Sequence, residues 1–286
     1  MKSSALVFLT AFMALSASWG GFVLAPQIQL GRNAQAKTVP AGDLYPVARP
    51  GLANQGADVY RALGCVHCHS QQVRQDGVKC ELVLTDAGTN TTATLAALGK
   101  LKPGLATAET LSGLPKTLMP LADMNAADPL LKVITGAGAK AEVHVTPTGP
   151  DIARQWGRRH TVAQDYVFDS PVQPGTRRAG PDLANVGARF PDRNWHLRHL
   201  YAPLAEVANS TMPPYRFLFE KRPVGSGPVP DALALPAGFA AEPGFEIVPT
   251  DAARALAAYL VSLRADSPLF EAPVTLPPAP ATTAAK

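Results

Sequence analysis

Sulfur is scarce in this chain. Three of its 286 residues are cysteine, and no second Cys pair or His-x-x-x-His stands ready to close a zinc site around the first pair. Charge is thin too: 17% of residues are Asp, Glu, Lys or Arg, against about a quarter in an ordinary soluble domain. The net charge of +4 is diffuse, with no run of Lys and Arg forming a stripe, which argues against nucleic acid as a partner. Also missing are a nucleophile–base set, an open metal site and a phosphate-cradling loop. The chain therefore offers no catalysis of its own.

What is there begins with a long apolar run. "ALVFLTAFMALSASWGGFVLA", residues 5–25, holds 21 residues without a charge. As a helix it spans roughly 31 Å, about the thickness of a bilayer's hydrocarbon core. A cleaved signal has a shorter apolar region of about 7–15 residues, so the length favours a retained anchor over a removed signal. Either way, the remainder of the chain is translocated. Only Lys2 and the amino terminus support an orientation with the amino end inside. Residues 31–52 are polar and proline-bearing, a linker. "GADVYRAL" (56–63) and "DRNWHLRHLYAP" (192–203) read as helices, and residues 216–249 as irregular. "PTDAARALAAYLVSLRAD" (249–266) is a helix that Thr250 can cap, with Leu256, Tyr259, Leu260 and Leu263 on one face. Residues 269–286 are proline- and alanine-rich and read as a disordered tail.

Two of the three cysteines stand together in "YRALGCVHCHSQQVRQ" (60–75). Cys65, Cys68 and His69 form Cys-x-x-Cys-His, the attachment signature of haem c. Two thiols three residues apart on one turn can each add across a porphyrin vinyl group, and the next residue then offers its imidazole to the iron. Half of a zinc site and a thiol-redox pair are the competing readings. The first lacks its second ligand pair, and the second lacks an α/β pattern around residue 65. His67 faces away from the iron and is solvated. A haem that transfers electrons commonly takes Met as its sixth ligand. Met119 and Met212 each precede a proline; Met212, in "NSTMPPYRF", lies where the chain returns before its last helix, and is the preferred ligand. His144, His160, His196 and His199 read as surface or outer groups.

These residues carry a resemblance. "GADVYRALGCVHCHSQQVR", "DYVFDSPVQPGTRRAGPDLANVGARFPDRNWHLRHLYAP" and "NSTMPPYRFL" resemble, in order, the mono-haem cytochrome c subunit of cbb3-type cytochrome c oxidases. The resemblance implies a mainly α class I cytochrome c fold with an N-terminal transmembrane helix, at 1–30, and one covalently bound haem c. It implies a single-pass subunit of the inner (cytoplasmic) membrane with its soluble part on the periplasmic side. Electrons would pass from a donor cytochrome c to the haem–copper catalytic subunit, among other oxidase subunits. It further implies that the Pro181 carbonyl accepts a hydrogen bond from the His69 nitrogen turned away from iron. Arg177 and Arg178 become candidates for a haem propionate, and Trp195 for a contact at the haem edge, with solvated arginines and a core tryptophan as the plainer alternatives. A free-standing cytochrome c serving another enzyme, and a haem-bearing sensor or binding protein, are the other functional readings.

One departure from the family is large. The cytochrome would be discontinuous, at 53–77 and 147–268, with residues 78–146 inserted. Strand-like "CELVL" and "AEVHV" bracket helical "TTATLAALGKL", "TAETLSGL" and "AADPLLKVITGAG", with a strand near "TLMPL". This α+β order, βααβαβ, resembles the C-terminal domain of the bacterial ribosomal stalk protein. That domain's basic helix face is reduced here to Lys100 and Lys102, so the resemblance carries the fold and not the activity. The insert is expected to be a docking surface for an unidentified partner outside the membrane. Cys80, at its first strand, is expected as a buried thiol, with an intermolecular disulfide as the alternative.

Overall fold

The structure, a computed structural model, describes residues 2–30 and 34–276. It opens on an apolar rod. Helix α1 (Lys2–Trp19) runs through a wide π-helical turn at Gly20–Leu24 into α2 (Ala25–Leu30). In that turn the Ala25 N–H reaches back to Gly20 O. Pro26 has no N–H to offer the previous turn, and a widened turn is a common way for a helix to absorb such a gap. The stretch Ser4–Gln29 has a mean hydropathy of 1.8 and holds no buried residue. By length and composition it can cross a bilayer.

A short pair, β1 (Ala36–Lys37) and β2 (Leu44–Tyr45), comes next. Helix α3 (Gly51–Ala62) starts directly after Pro50, several residues before the apolar pattern at 56–63. It packs against the last helix, α11 (Asp251–Ser262), at very close range. A β-carbon on Gly56 would lie 1.9 Å from the Ala255 carbonyl oxygen, so only glycine lets the two backbones approach. Thr250 caps α11 by accepting from Ala253 N. Tyr60, Leu197, Leu200, Leu256, Tyr259 and Leu260 form the core between these helices and α9 (Arg193–Tyr201). Asp192 caps α9 from just outside it. Short helices α7 (Pro150–Ala153), α8 (Val186–Arg189) and α10 (Pro203–Glu206) punctuate the connections. Gly187 sits in α8 where a side chain would meet Val261 O at 2.0 Å.

Between the two halves of this helical core stands a three-stranded antiparallel sheet. Its strands are β3 (Gly77–Asp86), β4 (Lys116–Leu121) and β5 (Lys140–Thr148), in the order β4-β3-β5. Helices α4 (Thr91–Leu101), α5 (Ala108–Leu111) and α6 (Ala127–Gly136) lie between them in sequence, so the element order is βααβαβ. Leu82, Leu84, Leu98, Leu118, Ile134 and Ala139 form a second core, separate from the first. The sheet's two chain ends meet: Gly77 pairs with Thr148, and Asp76 N donates to Thr148 O at 2.9 Å.

The structure departs from the sequence reading in three places. Strands also stand outside the expected α+β insert, as β1–β2 and β6–β7, where the rest of the chain was expected to be mainly α. The segment read as irregular, 216–249, contains an antiparallel pair, β6 (Phe219–Pro223) with β7 (Phe245–Pro249). Residues 269–276, read as disordered tail, pack against the protein: Leu269 and Ala272 are buried, and Thr275 exchanges two hydrogen bonds with Val145 on the free edge of β5. An unpaired strand edge offers backbone groups that an extended segment can satisfy whatever its composition. The rest of the expected tail, 277–286, lies outside the described residues, as do 31–33 of the linker.

Candidate haem site

The Cys-x-x-Cys-His segment hangs from the end of α3. Gly64 takes a left-handed φ of +70°, and the chain then winds tightly through Cys65–His67. Cys68 N and His69 N both donate to Cys65 O, at 3.1 and 2.9 Å. The turn is therefore self-bonded, with both thiols and the imidazole on a short rigid loop. Cys65 is half-buried and Cys68 exposed, and neither is in a disulfide. Burial pushes the Cys65 thiol up to about 11. His67 is exposed.

Residues 173–184 come back against this loop and are laced to it by backbone bonds. Gln71 N donates to Pro174 O, Thr176 N to Val66 O, Gly180 N to Cys68 O and Leu183 N to Ser70 O, all within 2.8–3.0 Å. The imidazole of His69 is caught in that lacing. Its Nδ1 lies 2.8 Å from Pro181 O, and this acceptor fixes the tautomer with the proton on Nδ1. Nε2 is left as the lone-pair nitrogen. A β-carbon on Gly180 would sit 2.3 Å from His69 Cε1, so the ring lies flat against bare backbone. Asp182, fully buried, anchors the crossing by accepting from Ser70 Oγ, Gln72 N and Ala184 N. Burial, the largest influence, holds the His69 pKa below its usual value despite the Pro181 contact.

Three methionines follow the motif, and the structure sorts them. Met119 stands opposite Leu82 in the sheet and packs into the sheet's own core. Met124 is exposed. Met212 is half-buried against the same helical core that Cys65 and Val66 pack against. Its loop is held by Tyr215 N donating to Leu200 O at 2.8 Å. The Tyr215 phenol is pushed up by burial and then by the Cys65 and Cys68 sulfurs, which places this loop near the thiols.

The flanking candidates fare differently. Arg177 is exposed. Arg178 is committed elsewhere: its Nη1 donates to both carboxylate oxygens of buried Asp151, at 2.7 and 2.6 Å, and its Nη2 to Gln72 O. Trp195 is neither solvated nor simply core. It lies in near-parallel planes with Phe190 (4.0 Å, 3°) and His199 (4.9 Å, 6°). His196, read as an outer group, is buried and its Nε2 pairs with Phe190 O at 2.8 Å. Sequence reasoning passed over Arg189, and placed His199 among the outer groups. Arg189 Nε and His199 Nδ1 are buried without a hydrogen-bond partner among the described residues. Burial, then His196 and His69, lower the His199 pKa to about 4, so its ring is neutral.

These features fit a haem bound through Cys65 and Cys68. Two free thiols stand at the right spacing, one imidazole has its outer nitrogen satisfied and its inner one free, a glycine leaves room beside that ring, and Arg189 Nε is a buried donor without an acceptor among the described residues. Among the described residues no three His, Cys, Asp or Glu side chains converge as a bare-metal site. Cys80 is buried in β3, and burial first, then Asp123, raises its thiol pKa.

A search of curated proteins finds no match to this chain. Among protein families, residues 144–227 match the model described as "Cytochrome C oxidase, mono-heme subunit/FixO". The matched span is well under half of the chain, and it contains Pro181, Arg189, Trp195, His199 and Met212 but not the Cys-x-x-Cys-His segment. By this match, residues 144–227 are similar to the mono-haem subunit of a cytochrome c oxidase.

Proposed function

We propose that the chain is a membrane-anchored, mono-haem c-type cytochrome that relays electrons from a donor cytochrome to the haem–copper catalytic subunit of a cbb3-type oxidase. The observation that carries this reading is the lacing of the Cys65–His69 loop to the Gly180–Pro181 turn. It joins an attachment motif outside the family match to a loop inside it, with His69 Nδ1 on Pro181 O. Cys65 and Cys68 would hold the haem through thioether bonds, and His69 Nε2 and the Met212 thioether would be the residues that hold its iron. When bound, the haem supplies a one-electron couple, and a thioether ligand raises its potential. The protein's own part is to keep the imidazole tautomer and orientation fixed by Pro181 and to exclude water with the 207–215 loop.

The apolar stretch Ser4–Gln29 would hold the cytochrome at the periplasmic face of the inner membrane. In this reading the cytochrome occupies 53–77 and 147–268, and 78–146 is a stalk-protein-like insert serving as a docking surface. Haem staining on a denaturing gel tests the attachment: a pigment that acid–acetone strips from the polypeptide ends the proposal. The weak near-infrared band of a sulfur-ligated ferric haem tests Met212, and is expected to vanish in Met212→Leu. Purification from detergent-solubilised membranes is expected to bring the oxidase subunits with it. A soluble, solitary protein would instead favour a free-standing carrier. Joining residue 76 to 148 is expected to leave the haem in place and weaken assembly; unchanged assembly and turnover would remove the docking role.

A further inference from the structure

We propose that the β1–β2 hairpin and the Leu269–Phe270 segment form an apolar foot that rests in the lipid surface beside the anchor. The inference rests on the membrane-anchored reading above and goes beyond it, to how the folded part stands on the bilayer. Phe270 is 90% exposed, Leu44 56% and Val39 48%. Apolar side chains scattered singly over a surface need no explanation, but these three belong to one small patch. Lys37 pairs with Leu44, Thr38 bridges to Leu269, and Val39 N donates to Pro268 O at 3.0 Å. Successive residues of an extended chain point to opposite faces. Tyr45 and Leu269 are buried, so their neighbours Leu44 and Phe270 turn outward together, with Val39 next to the bridge.

Two observations name lipid as the occupant. The first is reach. The apolar stretch ends at Gln29 and the hairpin begins at Ala36. The chain between them spans at most about 25 Å when fully extended. A hairpin tethered that closely to a membrane-spanning helix stays at the bilayer surface. The second is charge. Lys37, Asp43 and Glu271 stand exposed around the three apolar side chains, a mixture without a dominant sign. Such a rim selects neither an acidic nor a basic partner and leaves burial of apolar area as the driving force. Apolar side chains of a surface-bound segment sink roughly 5–10 Å into the boundary between headgroups and acyl chains. The foot is also fixed to the body: Tyr45 OH donates to Asp165 at 2.7 Å, and Gln35 Nε2 to Pro46 O at 2.8 Å. Contact with lipid here therefore holds the folded part in one orientation, where a tether alone would let it swing.

The test places a nitroxide on single new cysteines of the full-length protein, reconstituted in vesicles of neutral phosphatidylcholine. Wild type treated in parallel gives the background from Cys65, Cys68 and Cys80. Labels at Phe270→Cys and Leu44→Cys are expected to relax faster with oxygen, which concentrates in lipid, than with a nickel chelate, which stays in water. Their oxygen-to-nickel ratio is expected to lie several-fold above that at Lys132→Cys, an exposed position on α6, and near that at Leu15→Cys in the apolar rod. Adding Phe270→Asp is expected to lower the ratio at 44 towards the value at 132. Water-like ratios at both 270 and 44, with a lipid-like ratio at 15, overturn the foot and leave the anchor standing. Labels at 270 and 44 that neither reagent reaches mark protein cover, a second copy included, and overturn the assignment to lipid. A water-like ratio at 15 as well sinks the anchor reading, and the foot with it.

Discussion

Gly180 and His196 show how much a single position decides around this site. A methyl group at 180 has no room, because it would lie 2.3 Å from His69 Cε1, far inside van der Waals contact, and the backbone beneath it is tied to Cys68 O. Gly180→Ala is therefore expected to push the imidazole off its Pro181 acceptor and, in the proposed cytochrome, to leave the haem attached through sulfur but with altered ligation. A changed ferric absorption and near-infrared spectrum in that variant would show it; a spectrum like wild type would mean the ring has slack that the packing denies. His196 acts through protons. Its pKa is lowered, chiefly by burial, below the usual imidazole value of 6.5. The folded state thus holds it neutral, and its stability contribution is complete above about pH 6.5. As pH falls below that, the unfolded chain takes up a proton that the folded chain refuses, and stability drops until the folded pKa is reached. Denaturant midpoints measured across this range are expected to fall with acid, and less steeply in His196→Gln. At this scale the sequence was legible where the pattern is local: Cys65, Cys68 and His69 read as a unit by spacing, and the fold sets them on one self-bonded turn. The burial of His196 was not legible, because it comes from packing that no spacing reveals. Arg178 looked free until the fold brought Asp151 beside it.

At the scale of elements, helices with capping residues and apolar periodicity could be located from the text, as α11 after Thr250 illustrates. The βααβαβ order could be read for the same reason, since each strand and helix there carries its own period. The β6–β7 pair was missed because each strand is five residues long and its partner lies some twenty residues away. Short strands take their stability from a pairing that local pattern cannot show. The start of α3 was misplaced for a related reason: Gly51 to Gln55 have weak helix signals and are drawn in by packing. That packing predicts its own weak point. Gly56→Ala is expected to cost about 1–3 kcal/mol in chemical denaturation, because the new methyl meets backbone of α11 rather than a yielding side chain. An unchanged midpoint would mean that α3 and α11 can part without loss.

For the molecule as a whole, one buried ion pair ties together distant stretches of chain. Arg159 and Asp165 are bonded side by side with almost no exposure, Tyr45 OH donates to Asp165, and Arg159 Nε donates to Ser267 O. The segment after the apolar rod, the middle of the chain and the residues beyond α11 thus share a single knot. Asp165→Asn would strand the guanidinium indoors and is expected to destabilise the fold by about 3–5 kcal/mol, read as a lower denaturation midpoint. None of this knot could be foreseen, since Tyr45 and Ser267 each lie more than a hundred residues from the ion pair, whose two charges look like ordinary surface groups in the text. The meeting of Asp76 and Thr148 has a different consequence. Because the path of the chain leaves the helical core and re-enters it through neighbouring residues, that spot works as a socket. A fluorescent reporter or affinity module whose own termini lie equally close could be seated there in place of the sheet, giving the protein a new attachment without disturbing Cys65, Cys68 or the turn that holds His69.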